Sequence, residues 1–379
     1  MNTKTTTRQA IQRRRLLQAG LALGSAAALP GFARASAPER VFAPQPGAWR
    51  TFEMTLSVDV ADAQGGAKLW LPLPDVETDY QRTLDHGFSS GNAALLKIVA
   101  DVPRGTRMLY AEFPATVKNP QVQVTSRFQT RSRAVDWSKP GRASEDPAVL
   151  KSCTAPTELL PTDGIVQKTA LAATQGAKSD VDKVRAIYAW VVKSAHREPK
   201  TRGCGNGDIR TMLETGNLSG KCADLNALFV GLCRSVGVPA RDVYGLRLSP
   251  SAFGYRELGA NAANLKGAQH CRAEVFLKQY GWVAMDPADV LKVMRQETPE
   301  WIKDPAHPLI APVNKGLFGG WEGNWVAYNT AHDLMLPGSA GKASLPFLMY
   351  PQGENASGRF DELAPDAFKY AISAKEISA

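Results

Sequence analysis

Apolar and polar residues alternate from Phe52 to Val60, with Phe52, Met54, Leu56, Val58 and Val60 set against Glu53, Thr55, Ser57 and Asp59. A period of two puts the first set on one face of a strand and the second on the other. The alternation returns over Gln121–Gln129, where Val122, Val124 and Phe128 interleave with polar residues, and apolar runs at Leu69–Leu73 and Met108–Phe113 fit further strands. Residues 50–150 therefore predict a β-sandwich domain, whose plain role is a packing or binding module beside a site carried elsewhere.

The period changes after Pro161. Ile165–Gln175 and Val181–Ala195 carry helical spacing, and Val184, Ile187, Tyr188 and Val191 form one apolar stripe behind a Ser179 cap with Asp182 three residues on. A stretch rich in Gly, Asn and Thr (204–220) precedes a helix predicted over Cys222–Val236, which Gly237 stops. Strands follow at Ala240–Leu248, His270–Leu277 and Trp282–Met285. Residues 151–295 thus read as mixed α and β, and the Pro- and aromatic-rich segment 296–379 as a mainly β C-terminal extension, giving an α+β chain.

The N-terminus has a different purpose. Arg13-Arg14 precedes an apolar run, Leu16–Leu29, diluted by Gly20, Gly24 and several alanines, and Ala33-Arg34-Ala35 then suits a signal peptidase. Residues 1–35 read as an export signal, and the paired arginines resemble a twin-arginine leader, with general secretion as the other route. The run is too short to anchor the chain, so no integral membrane segment is expected after leader removal. Residues 36–49, with Pro38, Pro44 and Pro46, read as a linker. The expected location is periplasmic or secreted.

Export changes the meaning of the charge. The formal net charge is +9, but Lys4, Arg8, Arg13, Arg14, Arg15 and Arg34 lie in a leader free of acidic residues, and removing those six leaves +3. That balance makes no electrostatic case for nucleic acid. Five cysteines occur, Cys153, Cys204, Cys222, Cys233 and Cys271, and an odd number in an oxidising compartment leaves a thiol to account for.

Cys222 falls at the first turn of an amphipathic helix, after Gly220-Lys221. Unpaired backbone N–H groups and the positive end of the helix dipole favour a thiolate there, and Gly220 would let a substrate approach closely. A buried structural cysteine is the competing reading. Cys233, eleven residues on, lies about 16 Å along the axis and reads as core. In His270–Leu277 the apolar set, with Cys271, faces the core and leaves His270, Arg272 and Glu274 on the polar face. A Cys204–Cys271 disulfide stays open. A short turn around Lys278–Gly281 makes a hairpin that brings Asp286 beside His270, give or take one residue of register. A hairpin with a merely solvated His and Asp is the alternative. Arg272 could bind a substrate carboxylate or pair with Glu274 or Asp224. His86, His196, His307 and His332 lack a ligand pattern, and with no Cys-x-x-Cys or His-Glu-x-x-His spacing, neither a metal nor a cofactor is expected.

Gly-Lys-Cys at a helix start, Val238-Pro239-Ala240-Arg241 after it, and His270-x-x-x-Glu274-Val275 followed by Gly281-Trp282 and Asp286 resemble the transglutaminase-like superfamily. The resemblance covers about residues 155–290. It implies a papain-like core in which Cys222 is the nucleophile, His270 the general base and then acid, and Asp286 the residue that orients the histidine. The expected activity is thiol-dependent acyl transfer, by a peptidase, amidase or transglutaminase, on an amide or ester carbonyl. Peptide, protein or peptidoglycan of the cell envelope is the expected substrate. A non-catalytic cell-envelope binding protein on the same fold is the rival reading.

Overall fold

A computed structural model describes residues 40–378 apart from 62, 64, 102–104, 342 and 365–367. The segment expected to be an export leader and the first residues of the expected linker lie outside the described residues. The rest of the linker segment packs onto the body of the protein: Phe42 is buried against Phe253 and Tyr255, and Arg40 pairs with Glu297 at 2.7 Å.

The strand Arg50–Val60 buries every second side chain, as its alternation requires. It is central in a four-stranded antiparallel sheet ordered Phe368–Ser378, Arg50–Val60, Gln121–Thr130, Gln81–Ser89. A five-stranded sheet, ordered Gly358–Arg359, Gln352–Asn355, Ala67–Pro72, Arg107–Phe113, Leu95–Ala100, shares its hydrophobic core through Leu69, Leu71, Leu109 and Phe113. Each fully buried Leu, Met or Phe of this core contributes about 1.5–3 kcal/mol relative to exposure. The run at Ala67–Pro72 is nearly continuous in apolar residues because both faces are covered: Trp70 points away from that core into a second cluster with Tyr110, Leu334 and Leu348.

A third antiparallel sheet, ordered Gly281–Met285, Gln269–Leu277, Ala240–Arg247, Trp325–Asn329, packs on the helix Cys222–Ser235. That helix is flanked by Gly164–Ala173, Asp180–Ser194 and Pro287–Gln296. Ser179 and Asp182 form the reciprocal capping box at the start of Asp180–Ser194, and Val184, Ile187, Tyr188 and Val191 are buried on its inner face. Residues beyond 296 supply strands to all three sheets: Trp325–Asn329 to this one, and Gln352–Asn355, Gly358–Arg359 and Phe368–Ser378 to the sandwich. Glu274, buried in the middle of its strand, ties the units together by accepting from Arg241 and from Arg133, whose two-residue strand pairs with Gly320–Trp321. Among the described residues no helix is long and apolar enough to cross a membrane.

Candidate active site

Cys222 is the first residue of its helix, with Lys221 as N-cap, and is 3% exposed. The approach to it is shaped by Asp224, whose carboxylate accepts from the backbone N–H groups of Lys221, Asn206 and Gly207, each at 2.9 Å. A Cβ on Gly205 (φ +88°) would stand 1.8 Å from that carboxylate, and one on Gly220 would stand 2.4 Å from it. Gly220 is thus required by the packing of Asp224, a local constraint that the sequence did not show. The loop so anchored delivers Cys204: its carbonyl accepts from Ala223 N–H at 3.0 Å, and its thiol lies against Cys222. Tyr350 donates its hydroxyl to Cys204 Sγ at 3.0 Å.

His270 comes from the neighbouring strand. Its ladder with Gly281–Met285 pairs Ala273 with Met285, so one further step sets Asp286 across from Arg272 and diagonal to His270. That diagonal is closed by a hydrogen bond of 2.8 Å between His270 Nε2 and Asp286 Oδ2. The other ring nitrogen is left for Cys222, whose sulfur lies within hydrogen-bonding reach of the imidazole. Asp286 also starts the next helix, accepting from Asp289 N–H at 3.1 Å with Pro287 following. This is the usual chemistry of Asp at an N-cap and Pro at the first helical position.

Two further residues belong to the constellation. Asn226, one turn beyond Cys222, donates to Asp286 Oδ1 at 3.2 Å and to the Cys271 carbonyl at 2.9 Å, while its own oxygen accepts from Ala288 N–H at 3.3 Å. Asp289 presents Oδ2 to His270 Nε2 at 3.3 Å and is clamped from the other side by the buried guanidinium of Arg247. The sequence carried a signal for Asp289, since Asp-Pro-x-Asp is a helix-start pattern with a carboxylate in the first turn. Nothing local marked Asn226 or Arg247.

Arg272 departs from both of its expected partners. Glu274 is occupied by Arg133 and Arg241, and Asp224 by backbone donors. Arg272 instead packs its guanidinium against Trp321 and Trp325, 5.2 and 4.7 Å from the ring centroids, donates to the Glu322 carbonyl at 3.2 Å and places Nε 3.8 Å from Asp286. It is 3% exposed, so it serves the buried side of the site. The division of the strand into a core face and a polar face also fails, because all nine residues of Gln269–Leu277 are buried. Helices cover one face, and Trp321 and Trp325 cover much of the other.

The electrostatics follow from burial and these neighbours. The Cys204 thiol and then the Cys271 thiol hydrogen-bond the Cys222 sulfur and, with His270, hold its pKa well below the ordinary thiol value despite burial. Burial and Arg247 push His270 down, but Asp289 and Asp286 outweigh them and raise its pKa to about 9. The two shifts together describe a thiolate beside an imidazolium. All five cysteines are free thiols, Cys204 and Cys271 included, and Cys233 is fully buried in the core.

Donor atoms of His270, Asp286 and Asp289 lie within 4.8 Å of one another, a spacing that could hold a metal ion. Arg247 on Asp289 and Arg272 near Asp286 already place cations on those carboxylates, so charge is balanced within the protein. His332 pairs with Asp333 at 3.1 Å, and His86 bonds Ser126 at 2.9 Å. A cavity of about 350 Å³ opens onto Cys222, Cys204 and His270.

Residues 167–287 match the model of the transglutaminase-like superfamily. An uncharacterized protein of Haemophilus influenzae is 32% identical over 345 residues, spanning 86% of this chain and 91% of its own. The chain belongs to the transglutaminase-like superfamily, which supports a thiol-dependent enzyme in general terms. Among solved structures, a candidate cysteine protease from Cytophaga hutchinsonii aligns over 87% of this chain and 99% of its own, with a TM-score of 0.47 at 15% identity. The periplasmic domain of TgpA from Pseudomonas aeruginosa, bound to ethylmercury, aligns over 70% and 78%, with a TM-score of 0.33 at 17% identity.

Proposed function

We propose that the protein is an exported, thiol-dependent acyl-transfer enzyme, acting on an amide or ester carbonyl through Cys222, His270 and Asp286. The observation that carries this reading is the single line of contacts from a cysteine at a helix N-terminus, through an imidazole, to a buried carboxylate. In the proposed reaction the Cys222 thiolate attacks the carbonyl carbon, and the developing oxyanion faces the Cys222 backbone N–H at the helix start. The His270 imidazolium then protonates the leaving amine or alcohol as its bond to carbon breaks, leaving a thioester on Cys222. Neutral His270 next takes a proton from water or an acceptor amine, which attacks the thioester; its C–S bond breaks, the acyl product leaves, and the Cys222 thiolate stands again beside the His270 imidazolium. Asp286 holds Nε2 throughout, keeping the other nitrogen on the sulfur. A transglutaminase differs from a peptidase or an amidase in the last nucleophile, an amine in place of water, and envelope peptides, proteins or peptidoglycan are the proposed substrates.

Export through the twin-arginine route is part of the proposal and rests on Arg13-Arg14 and the weakly apolar run behind them. The thiol reading is tested by treating the mature protein with iodoacetamide at neutral pH and mapping the modified cysteines by peptide mass spectrometry. Selective labelling of Cys222, with loss of turnover on a peptide-amide library in Cys222→Ser, is the expected result. An unreactive Cys222, or full turnover by that variant, would leave the non-catalytic binding protein as the better reading.

A further inference from the structure

We infer that the cleft in front of Cys222 selects an acyl substrate that carries a carboxylate close to the scissile carbonyl. The inference rests on the thiol nucleophile proposed above and adds the chemical class of what it attacks. The lining of the cleft brings together Arg197, Lys221, Arg247, Lys266 and Lys292, against Glu362 as its carboxylate among the described residues. A mature chain near charge balance does not require such a local excess.

Two of these cations are satisfied within the protein: Arg247 by Asp289, and Lys292 by Glu257 at 3.3 Å. The other three make no ion pair; the anionic groups that act on Lys221 are the Cys204 and Cys222 sulfurs and Asp224. Arg197 donates to the Gln296 side chain at 3.0 Å, and Lys266 lies over the Tyr370 ring at 4.8 Å. None of Arg197, Lys221 and Lys266 has a carboxylate within ion-pair distance among the described residues. Two of the three are held at fixed positions beside the nucleophile. Arg197 sits on a two-residue strand in parallel register with Gly220, supported by the Glu198 N–H to Gly220 carbonyl bond at 2.8 Å, and Lys221 directly precedes Cys222. Burial first, and then the neighbouring Arg197, depress the Lys221 pKa, so the two cations repel each other across the cleft. A bound anion relieves that repulsion. Lys266, exposed on the turn that leads to His270, adds charge from the other lip.

These cations also favour the Cys222 thiolate, and the test separates that effect from substrate selection. Second-order rates of Cys222 modification are measured with iodoacetate, an anion, and iodoacetamide, its neutral counterpart, on the mature chain at low salt. Both reagents need the same thiolate, so the ratio of the two rates cancels the thiolate fraction and reports the field met by an incoming carboxylate. The expected ratio exceeds that of glutathione under the same conditions by about tenfold, the effect of a unit charge several ångströms away at a partly screened site. It should fall about threefold or more in Arg197→Gln and in Lys221→Gln, and it should decline as salt rises to about 0.5 M. Should Lys221→Gln fail to fold, Lys266→Gln, at an exposed position, and the salt series on the unaltered chain report the same quantity. A ratio equal to that of glutathione, with Cys222 still reactive to iodoacetamide, overturns the anionic-substrate inference alone. Failure of both reagents to label Cys222 overturns the nucleophile reading and this inference with it.

Discussion

Replacing Asp289 by Asn removes the second carboxylate from His270 while keeping its shape. Asp289 Oδ2 stands 3.3 Å from His270 Nε2, and at an effective dielectric near 20 that separation corresponds to about 5 kcal/mol of attraction for the imidazolium. Asp286 remains at 2.8 Å and water can follow the substitution, so roughly half of that figure, about 2–3 kcal/mol, is the expected loss. At 1.36 kcal/mol per pH unit this lowers the His270 titration by about two units, from about 9 toward about 7. Arg247, deprived of its partner, repels the imidazolium more strongly and acts in the same direction.

The assay is the pH profile of turnover, whose alkaline limb reports loss of the imidazolium that protonates the leaving group. The limb should move from near pH 9 to near pH 7 in Asp289→Asn. Stability should change as well. A raised histidine pKa stabilises the fold fully below the unfolded value of about 6.5, and the contribution is lost as pH climbs through about 9, so the variant's thermal stability should depend less on pH across that window. Leaving Arg247 buried and unpaired costs about 3–5 kcal/mol. The double variant Arg247→Met with Asp289→Asn removes both charges and should recover much of that loss, while returning the limb part of the way upward. A folded Asp289→Asn protein whose alkaline limb stays at 9 would refute the assignment of Asp289 to the histidine.

Two other outcomes are expected. Cys204→Ala removes the hydrogen bond that contributes most to the low Cys222 pKa, so alkylation of Cys222 at pH 6 should slow by about tenfold or more, and an unchanged rate would show that the thiols act independently. Arg13→Lys with Arg14→Lys should hold the protein in the cytoplasm, as read by cell fractionation, because charge without the guanidinium forks does not satisfy twin-arginine recognition, and normal export would refute that route.

Local pattern carried far in this chain. Period-two alternation marked Arg50–Val60 and Gln121–Thr130, and apolar stripes with Ser179 and Gly237 bounded two helices to within a residue or two. These features obey rules that reach only a few residues along the chain, and so does the hairpin joining His270 to Asp286. The juxtaposition of Cys222, His270 and Asp286 was therefore legible from motif and spacing.

Long-range burial decided the rest. The strands Gln81–Ser89 and Leu95–Ala100 escaped notice because they lie at sheet edges and bury little, which leaves their sequences without clean alternation. The segment beyond 296 read as an appendage, yet its strands add to the three larger sheets by pairings between residues about 80 to 330 positions apart, which no local period encodes. Arg272 met two tryptophans from that segment, Glu274 met Arg133 from the two-residue strand that pairs with Gly320–Trp321, and Asp289, on the helix Pro287–Gln296, met Arg247 from the sheet. In each case an ion taken out of water needs a partner, and the fold supplies it from whichever distant element the packing brings beside it.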